Sequence, residues 1–195
     1  MKFLAIDTSG ARLTVVAANG QTVIKRTECD CAQKYSVLLA GEIEAALSLA
    51  HLRIDECDFL ACVVGPGSFT GIRIGIATVK GLCFACEKPA LAITSFEEAA
   101  YAERGGKRLI LVDAGYGNFY ACGYGEENRE EIPPAFLGEE EVGALIAKGY
   151  APVRAEQADL AEGLYRAAEA KKNEAGALAD LTALYLRKSS AEEKR

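Results

Sequence analysis

The stretch that most constrains this chain is Gly65-Pro66-Gly67-Ser68-Phe69-Thr70-Gly71. An apolar run, Phe59-Leu60-Ala61-Cys62-Val63-Val64, precedes it and reads as a buried strand. The residues from Ile72 through Lys80 to Cys86 follow it and read as a helix. Three glycines and a proline in seven residues predict a tight strand-to-helix turn. Such a turn sets backbone N–H groups at a helix start, where an anion or a side-chain cap satisfies them. Ser68 and Thr70 are the candidate caps. The spacing excludes a Walker phosphate loop, because Gly71 is followed by Ile72-Arg73 instead of lysine and a hydroxyl residue. Neither Gly65 nor Gly67 opens the glycine pattern of a dinucleotide site.

The helix has three faces. Ile72, Ile76, Val79, Cys83 and Cys86 recur at helical spacing as one apolar stripe. Arg73, Ala77, Lys80 and Phe84 lie on a second face, and Gly71, Gly75, Thr78 and Ala85 make a third of small residues. A glycine inside a helix costs about 1 kcal/mol against alanine. A small face therefore predicts that other backbone comes very close, either the chain's own sheet or a second helix, within the chain or between chains.

At 195 residues the chain is one domain or two small lobes with a sizeable core. The formal net charge of -6 argues against a free-standing nucleic-acid binder, whose phosphate contacts need a basic surface. It leaves open a role beside a basic partner. The opening Met1-Lys2-Phe3-Leu4-Ala5-Ile6-Asp7 has too short an apolar run for a signal peptide, and no segment approaches the roughly 20 apolar residues of a membrane span. The expectation is a cytoplasmic protein with no membrane partner. Seven cysteines without an export signal fit reduced thiols. Cys29, Cys31, Cys83 and Cys86 number enough for a zinc site, but Cys83 and Cys86 fall on the apolar stripe, where cysteine acts as a small hydrophobe. No metal site is expected.

In chain order, residues 2–7 read as a strand, Thr8-Ser9-Gly10 as a turn, and 12–17 as the return strand. Asn19-Gly20 signals a hairpin into a third strand, 21–27. Residues 35–50 read as a helix with Tyr35, Leu39, Ile43, Ala46 and Ala50 on one stripe. Leu38, Ala45, Leu47 and Leu49 spill round its other sides, so two-sided packing is expected. Residues 90–93 read as a short strand, and Ser95-Phe96-Glu97-Glu98 as a capping box opening a helix to about Glu103. Arg104-Gly105-Gly106-Lys107 is a breaker. Beyond it, residues 126–134 read as polar loop, 139–148 as a short helix, and 156–171 and 174–188 as two further helices.

The opening pattern then returns. Residues 4–15 can be laid on 110–121, each an apolar strand, an aspartate at its end (Asp7, Asp113), a glycine turn and an alternating return strand. Meander, helix, strand, helix, strand is the ribonuclease-H-like unit. The fold class is therefore α/β, with two ribonuclease-H-like lobes of the actin, sugar-kinase and Hsp70 superfamily, the second lobe reduced. The boundaries are residues 1–106, with the glycine loop and helices, and 107–195. In that superfamily the two aspartates face each other across a nucleotide cleft.

Several stretches resemble the bacterial TsaB (YeaZ) family: Phe3 to Ser9, the long run Gly65 to Ala77, Thr94-Ser95-Phe96-Glu97, Asp113-Ala114 with Tyr120, and the closing Tyr185-Leu186-Arg187-Lys188-Ser189. The likeness is dense over residues 1–122 and thin from there to about 180. It implies a non-catalytic partner in making N6-threonylcarbamoyladenosine on tRNA, at the adenosine next to the anticodon. Such a subunit pairs with its catalytic paralogue TsaD, is joined by the ATPase TsaE, forms a homodimer when alone, and meets tRNA only through the complex. The resemblance also implies ATP or ADP at the partner interface, with no cofactor required by the chain alone. The helices matching 35–50 and 71–86 make that contact. The interface residues are then Tyr35, Leu38, Leu39, Glu42, Ala45, Ala46, Leu49, Gly71, Arg73, Gly75, Ala77, Thr78, Lys80 and Phe84. Tyr35-Ser36 and Gly115-Tyr116 depart from the family, many members of which carry His-Ser and two arginines there.

The residues agree with a non-catalytic role. The catalytic paralogue needs a histidine pair for its metal, and this chain has one histidine, His51, at a helix end. Asp7, Thr8, Ser9 and Asp113 are the candidate remnant of a nucleotide site, and both aspartates also suit a turn or capping role. Two other classes compete. One is an ATP-dependent small-molecule kinase of the same superfamily. The other is a glycoprotease-like peptidase, for which one histidine supports no triad.

Overall fold

The computed structural model describes residues 1–29, 34–103 and 105–187. Lys2–Asp7 (β1), Leu13–Asn19 (β2) and Thr22–Glu28 (β3) form the expected antiparallel meander. Asn19 pairs with Thr22, so the two-residue turn is Gly20-Gln21, one place later than the sequence signal. Gly20 takes φ +63°, which an L side chain rarely adopts. Tyr35–Leu49 (α1), Phe59–Val63 (β4), Phe69–Cys86 (α2) and Ala90–Ile93 (β5) follow. The strand order is β3-β2-β1-β4-β5, with β4 and β5 parallel to β1. This is the ribonuclease-H-like arrangement.

Both faces of that sheet are covered, which is why β1 and β4 are apolar at nearly every position. Leu4, Ile6, Leu60 and Cys62 face α1 and α2, with Tyr35, Leu39, Ile43, Val79 and Cys83. Phe3, Ala5, Phe59 and Ala61 face Leu164, Ala167 and Ala168 of a later helix, Leu160–Ala170.

A second sheet comprises Arg108–Gly115 (β6), Asn118–Tyr124 (β7), Glu130–Gly138 (β8) and Ala151–Arg154 (β9), in the order β8-β7-β6-β9. Its first three strands again form a meander, and β9 runs parallel to β6. Ser95–Ala102 (α3) packs Phe96, Ala99 and Ala100 on Ile110 and Cys122. Glu139–Ala147 (α4) covers the other face through Val142, against Leu109, Leu111 and Phe119. The helix Leu160–Ala170 (α5) then returns to the first sheet. Two helices are thus exchanged across residue 106: α3 serves the second sheet and α5 the first.

Three local expectations are corrected. Residues 130–134 are strand, not loop; β8 is an edge strand and so tolerates Pro133-Pro134, which lack N–H donors. The described part of 174–188 holds no α-helix. Gly176 instead exchanges backbone hydrogen bonds with Ala90 at 2.9 and 3.0 Å, holding the chain extended. Leu181 then sinks into the first core, and Leu184 N–H reaches Val64 O at 2.8 Å. The apolar spacing that suggested a helix serves two different cores. Finally, the α3 capping box is Thr94 with Glu97, one residue earlier than expected. Thr94 Oγ1 accepts from Glu97 N at 3.1 Å, and Glu97 Oε2 from Thr94 N at 2.7 Å.

Candidate functional site

Ser68 is the cap of α2, its Oγ accepting from Gly71 N at 3.2 Å; Thr70 is exposed. The glycines behind it answer the question of close approach. A Cβ on Gly71 would overlap the carbonyl of Thr8, and one on Gly75 would lie 2.5 Å from Thr8 Oγ1 and 3.2 Å from Cys62 Sγ. Thr8 Oγ1 donates to Gly71 O at 2.7 Å. Gly71 and Gly75 therefore pack on the end of β1 within the chain, while Thr78 is half-buried and Ala85 exposed.

This corrects part of the expected partner surface. Gly71 and Gly75 are buried against Thr8, and Tyr35, Leu39 and Ala46 are buried in the core under α1. Tyr35 also donates its hydroxyl to Gly10 O. None of these five side faces points outward. Three large apolar side chains of the helix pair are nevertheless exposed: Phe84 80%, Val37 77% and Leu49 53%. Ala77 and Arg73 are exposed beside it, and Leu38, Glu42, Ala45, Thr78 and Lys80 are half-buried. Glu42 is engaged by Arg26, Nε to Oε2 at 2.6 Å. Arg73 lies 3.7 Å from the Phe69 ring centroid and donates from Nε to the Tyr185 hydroxyl at 3.0 Å.

Where the two sheets meet, a cavity of about 610 Å³ is lined by Asp7, Ser9, Arg12, Ser95, Glu98, Asp113 and Glu156, with an apolar wall of Pro66, Val112 and Leu160. The repeat thus does bring Asp7 and Asp113 to one cavity. Ser9 joins them, and Thr8 does not, being turned to α2.

The electrostatics are those of an acidic site. Asp7 Oδ1 accepts from Ser9 N at 2.6 Å, while Oδ2 is buried with no donor. Burial raises the Asp7 carboxyl, against the opposing pull of the Ser9 hydrogen bonds and the Arg12 charge. Burial, reinforced by the Asp7 charge, pushes Glu98 well above the usual carboxylate range, and its Oε1 also lacks a donor. Arg12 is the one cationic side chain on the lining, and its Nη2 donates to the carbonyls of Glu156 and Ala158 at 3.0 and 3.2 Å. A nucleotide's phosphates need a cradle of free donors. Here the Ser9 amide is spent on Asp7 and the guanidinium is directed to carbonyls, while the backbones of Gly10, Ala11 and Gly67 also line the space. Four acidic side chains face it, and their charge opposes that of a phosphate.

Other chemistry is sparse. No group of three or more His, Cys, Asp or Glu gathers to hold a metal among the described residues. Cys31 lies outside them. Burial pushes the thiols of Cys57 and Cys122 up to about 12 and Cys83 to about 11, which keeps them protonated and unreactive. His51 follows the end of α1 at φ +49°, exposed, its carbonyl accepting from Asn19. By length and composition α2 would cross a membrane, contrary to the sequence expectation, but Ile72, Val79 and Cys83 are spent on the sheet. Sequence reasoning missed Arg12 and misread Glu98 as a capping residue. The one-residue shift of the cap turns Glu98 inward and frees Ser95, whose Oγ donates to Pro66 O at 2.8 Å.

The family model of TsaD, tRNA N6-adenosine threonylcarbamoyltransferase, matches residues 29–184. The tRNA threonylcarbamoyladenosine biosynthesis protein TsaB of Escherichia coli K12 is 28% identical over 152 residues, 71% of this chain and 65% of that one. TsaB of Bacillus subtilis 168 is 30% identical over 145 residues, 69% of this chain and 60% of that one. The chain thus spans less than two thirds of either relative. YeaZ from Pseudomonas aeruginosa has the same fold, with a TM-score of 0.79 at 24% identity over 95% of this chain and 99% of that one. Fold and matches define a ribonuclease-H-like α/β protein of the threonylcarbamoyltransferase group. Within it, the chain belongs to the TsaB (YeaZ) family.

Proposed function

We propose that this chain is a non-catalytic subunit in tRNA threonylcarbamoyladenosine biosynthesis, in the cytoplasm. It pairs with the catalytic paralogue TsaD, is joined by the ATPase TsaE, and supports transfer of the threonylcarbamoyl group to the adenosine next to the anticodon. The two sheets are the two lobes, and the surface that meets the paralogue, or a second copy when the chain is alone, is the outer face of α1 and α2. The observation that carries this reading is that face: Phe84, Val37 and Leu49 stand in solvent around small and half-buried neighbours. Exposed large apolar side chains on one helix pair suit an interaction site. Any ATP or ADP in the assembly is held with the partner, since the chain's own acidic cavity suits phosphate poorly. That cavity also argues against a small-molecule kinase, and the protonated buried thiols and lone histidine against a peptidase. Reconstitution tests the proposal: the chain with TsaD and TsaE should modify tRNA, and the chain alone should not. Modification by the chain alone, or by TsaD and TsaE undiminished without it, would overturn it.

A further inference from the structure

That reading gives the cavity between the sheets no ligand of its own. Asp7 Oδ2 and Glu98 Oε1 are both buried and both lack a donor, and both residues line the space. The donors of Ser9, Ser95 and Arg12 are committed elsewhere. Ser95 Oγ gives its proton to Pro66 O, which leaves Ser9 Oγ to donate to Ser95 at 3.2 Å. Ser9 N serves Asp7 Oδ1, and Arg12 serves backbone carbonyls. Burial raises both carboxyls, and a donor that carries positive charge offsets the cost of their ionised forms. An ammonium group supplies such a donor. Val112, Pro66 and Leu160 offer an apolar wall for methylenes, and Asp113 and Glu156 supply further negative charge.

We propose that this cavity binds a small aliphatic amine, its ammonium group seated on Asp7 and Glu98 and its alkyl chain along Val112, Pro66 and Leu160. A diamine gains a second contact at Asp113 or Glu156. The site is formed by one chain and does not depend on the paralogue.

The test is calorimetric titration of the full chain with cadaverine, alongside pentylamine, magnesium chloride and buffer alone. Cadaverine should bind with a dissociation constant below about 1 mM. Asp7→Asn and Glu98→Gln should each weaken it by about ten-fold or more, while thermal melts show both variants folded. A second reading needs no variant. An arriving ammonium favours the ionised form of both carboxyls, so binding should release protons, and the heat should change with the ionisation enthalpy of the buffer. The other titratable groups near these carboxyls, Arg12, Cys29, Cys62, Asp113 and Glu156, are present in every arm. No cadaverine binding, binding without proton release, binding untouched by both substitutions, or tighter binding of magnesium would overturn the proposal and leave a water-filled acidic pocket.

Discussion

Asp7 and Asp113 make the same bond in two different sheets. Asp7 ends the first strand of its meander and Asp113 stands two residues before the end of its own, and each accepts through Oδ1 the backbone N–H two residues on, Ser9 at 2.6 Å and Gly115 at 2.8 Å. The repeated aspartate is therefore first a turn former, folding the chain back into the return strand. The two copies differ in burial. Asp113 is exposed, whereas Asp7 is enclosed by the β1–β2 turn, the glycine loop and α3, and keeps one oxygen without a donor. A shared turn device thus carries a charge problem in one lobe only.

The close contact of α2 with Thr8 gives the first expectation. Gly71→Ala drives a Cβ into a backbone carbonyl that cannot rotate away, and Gly75→Leu crowds Thr8 and Cys62. Each should destabilise folding by about 1–3 kcal/mol or more, the leucine most. Urea unfolding should show a lower midpoint for both before any partner is added. A wild-type midpoint for Gly75→Leu would show that the helix stands further from β1.

The exposed face of the helix pair gives the second. Phe84→Asp and Val37→Asp alter side chains that are largely in water, so folding stability should change by no more than about 0.5 kcal/mol. Sedimentation of mixtures with TsaD should nevertheless show weakened association, the Phe84 variant most. Lys80→Glu should act mainly on the association rate and its salt dependence. Wild-type assembly by the double variant Phe84→Asp with Val37→Asp would move the interface off these helices.

Arg108 gives the third. Its buried guanidinium donates to Ala100 O, Glu103 O, Gly125 O and Asn128 Oδ1, at 2.9 to 3.0 Å, and so ties α3 to the β7–β8 connection. Arg108→Ala strands these acceptors, each worth about 1–3 kcal/mol if left unsatisfied in the interior. Arg108→Lys cannot span them with one ammonium group and should recover little. Thermal melts should rank wild type above lysine above alanine. Equal melting temperatures for all three would show that water replaces the fork.

How much of this was legible beforehand depended on whether the signal was local. The meander, α1, β4, the glycine turn and α2 followed from alternation, helical spacing and cap chemistry, all written within a dozen residues. The repeat at Asp113 was legible for the same reason. What stayed hidden was set by distant partners. Pro133-Pro134 looks like loop until β8 is known to be an edge, and 174–188 looks helical until Ala90 pairs with Gly176. The glycines on α2 announced a close neighbour without naming it, and only the fold chose Thr8 over a second chain. The cavity drew Asp7 and Asp113 from the repeat, but Glu98 and Arg12 enter it through tertiary packing that no spacing records.

Glu98 gives the last expectation, and its sign is fixed by burial. The carboxyl is enclosed, lacks a donor at Oε1, and faces the negative charge of Asp7, so its folded pKa lies well above its unfolded one. Asp7 is shifted in the same direction by burial. Between the unfolded and folded values the native state holds protons that the unfolded chain has lost, so stability must fall as pH rises through that window. Below the unfolded pKa both states are protonated and this contribution is fully retained. This is the opposite of a salt-bridged carboxylate such as Glu162, which Lys25 and Arg166 hold below its ordinary value. Glu98→Gln removes the titrating group while keeping its shape. It should therefore raise stability at neutral pH, leave it nearly unchanged in mild acid, and flatten the decline between. Chemical denaturation of wild type and variant across that range reads all three effects. A parallel decline in the two proteins would place the proton uptake elsewhere, and a variant less stable at neutral pH would mean that Glu98 is already paired in solution.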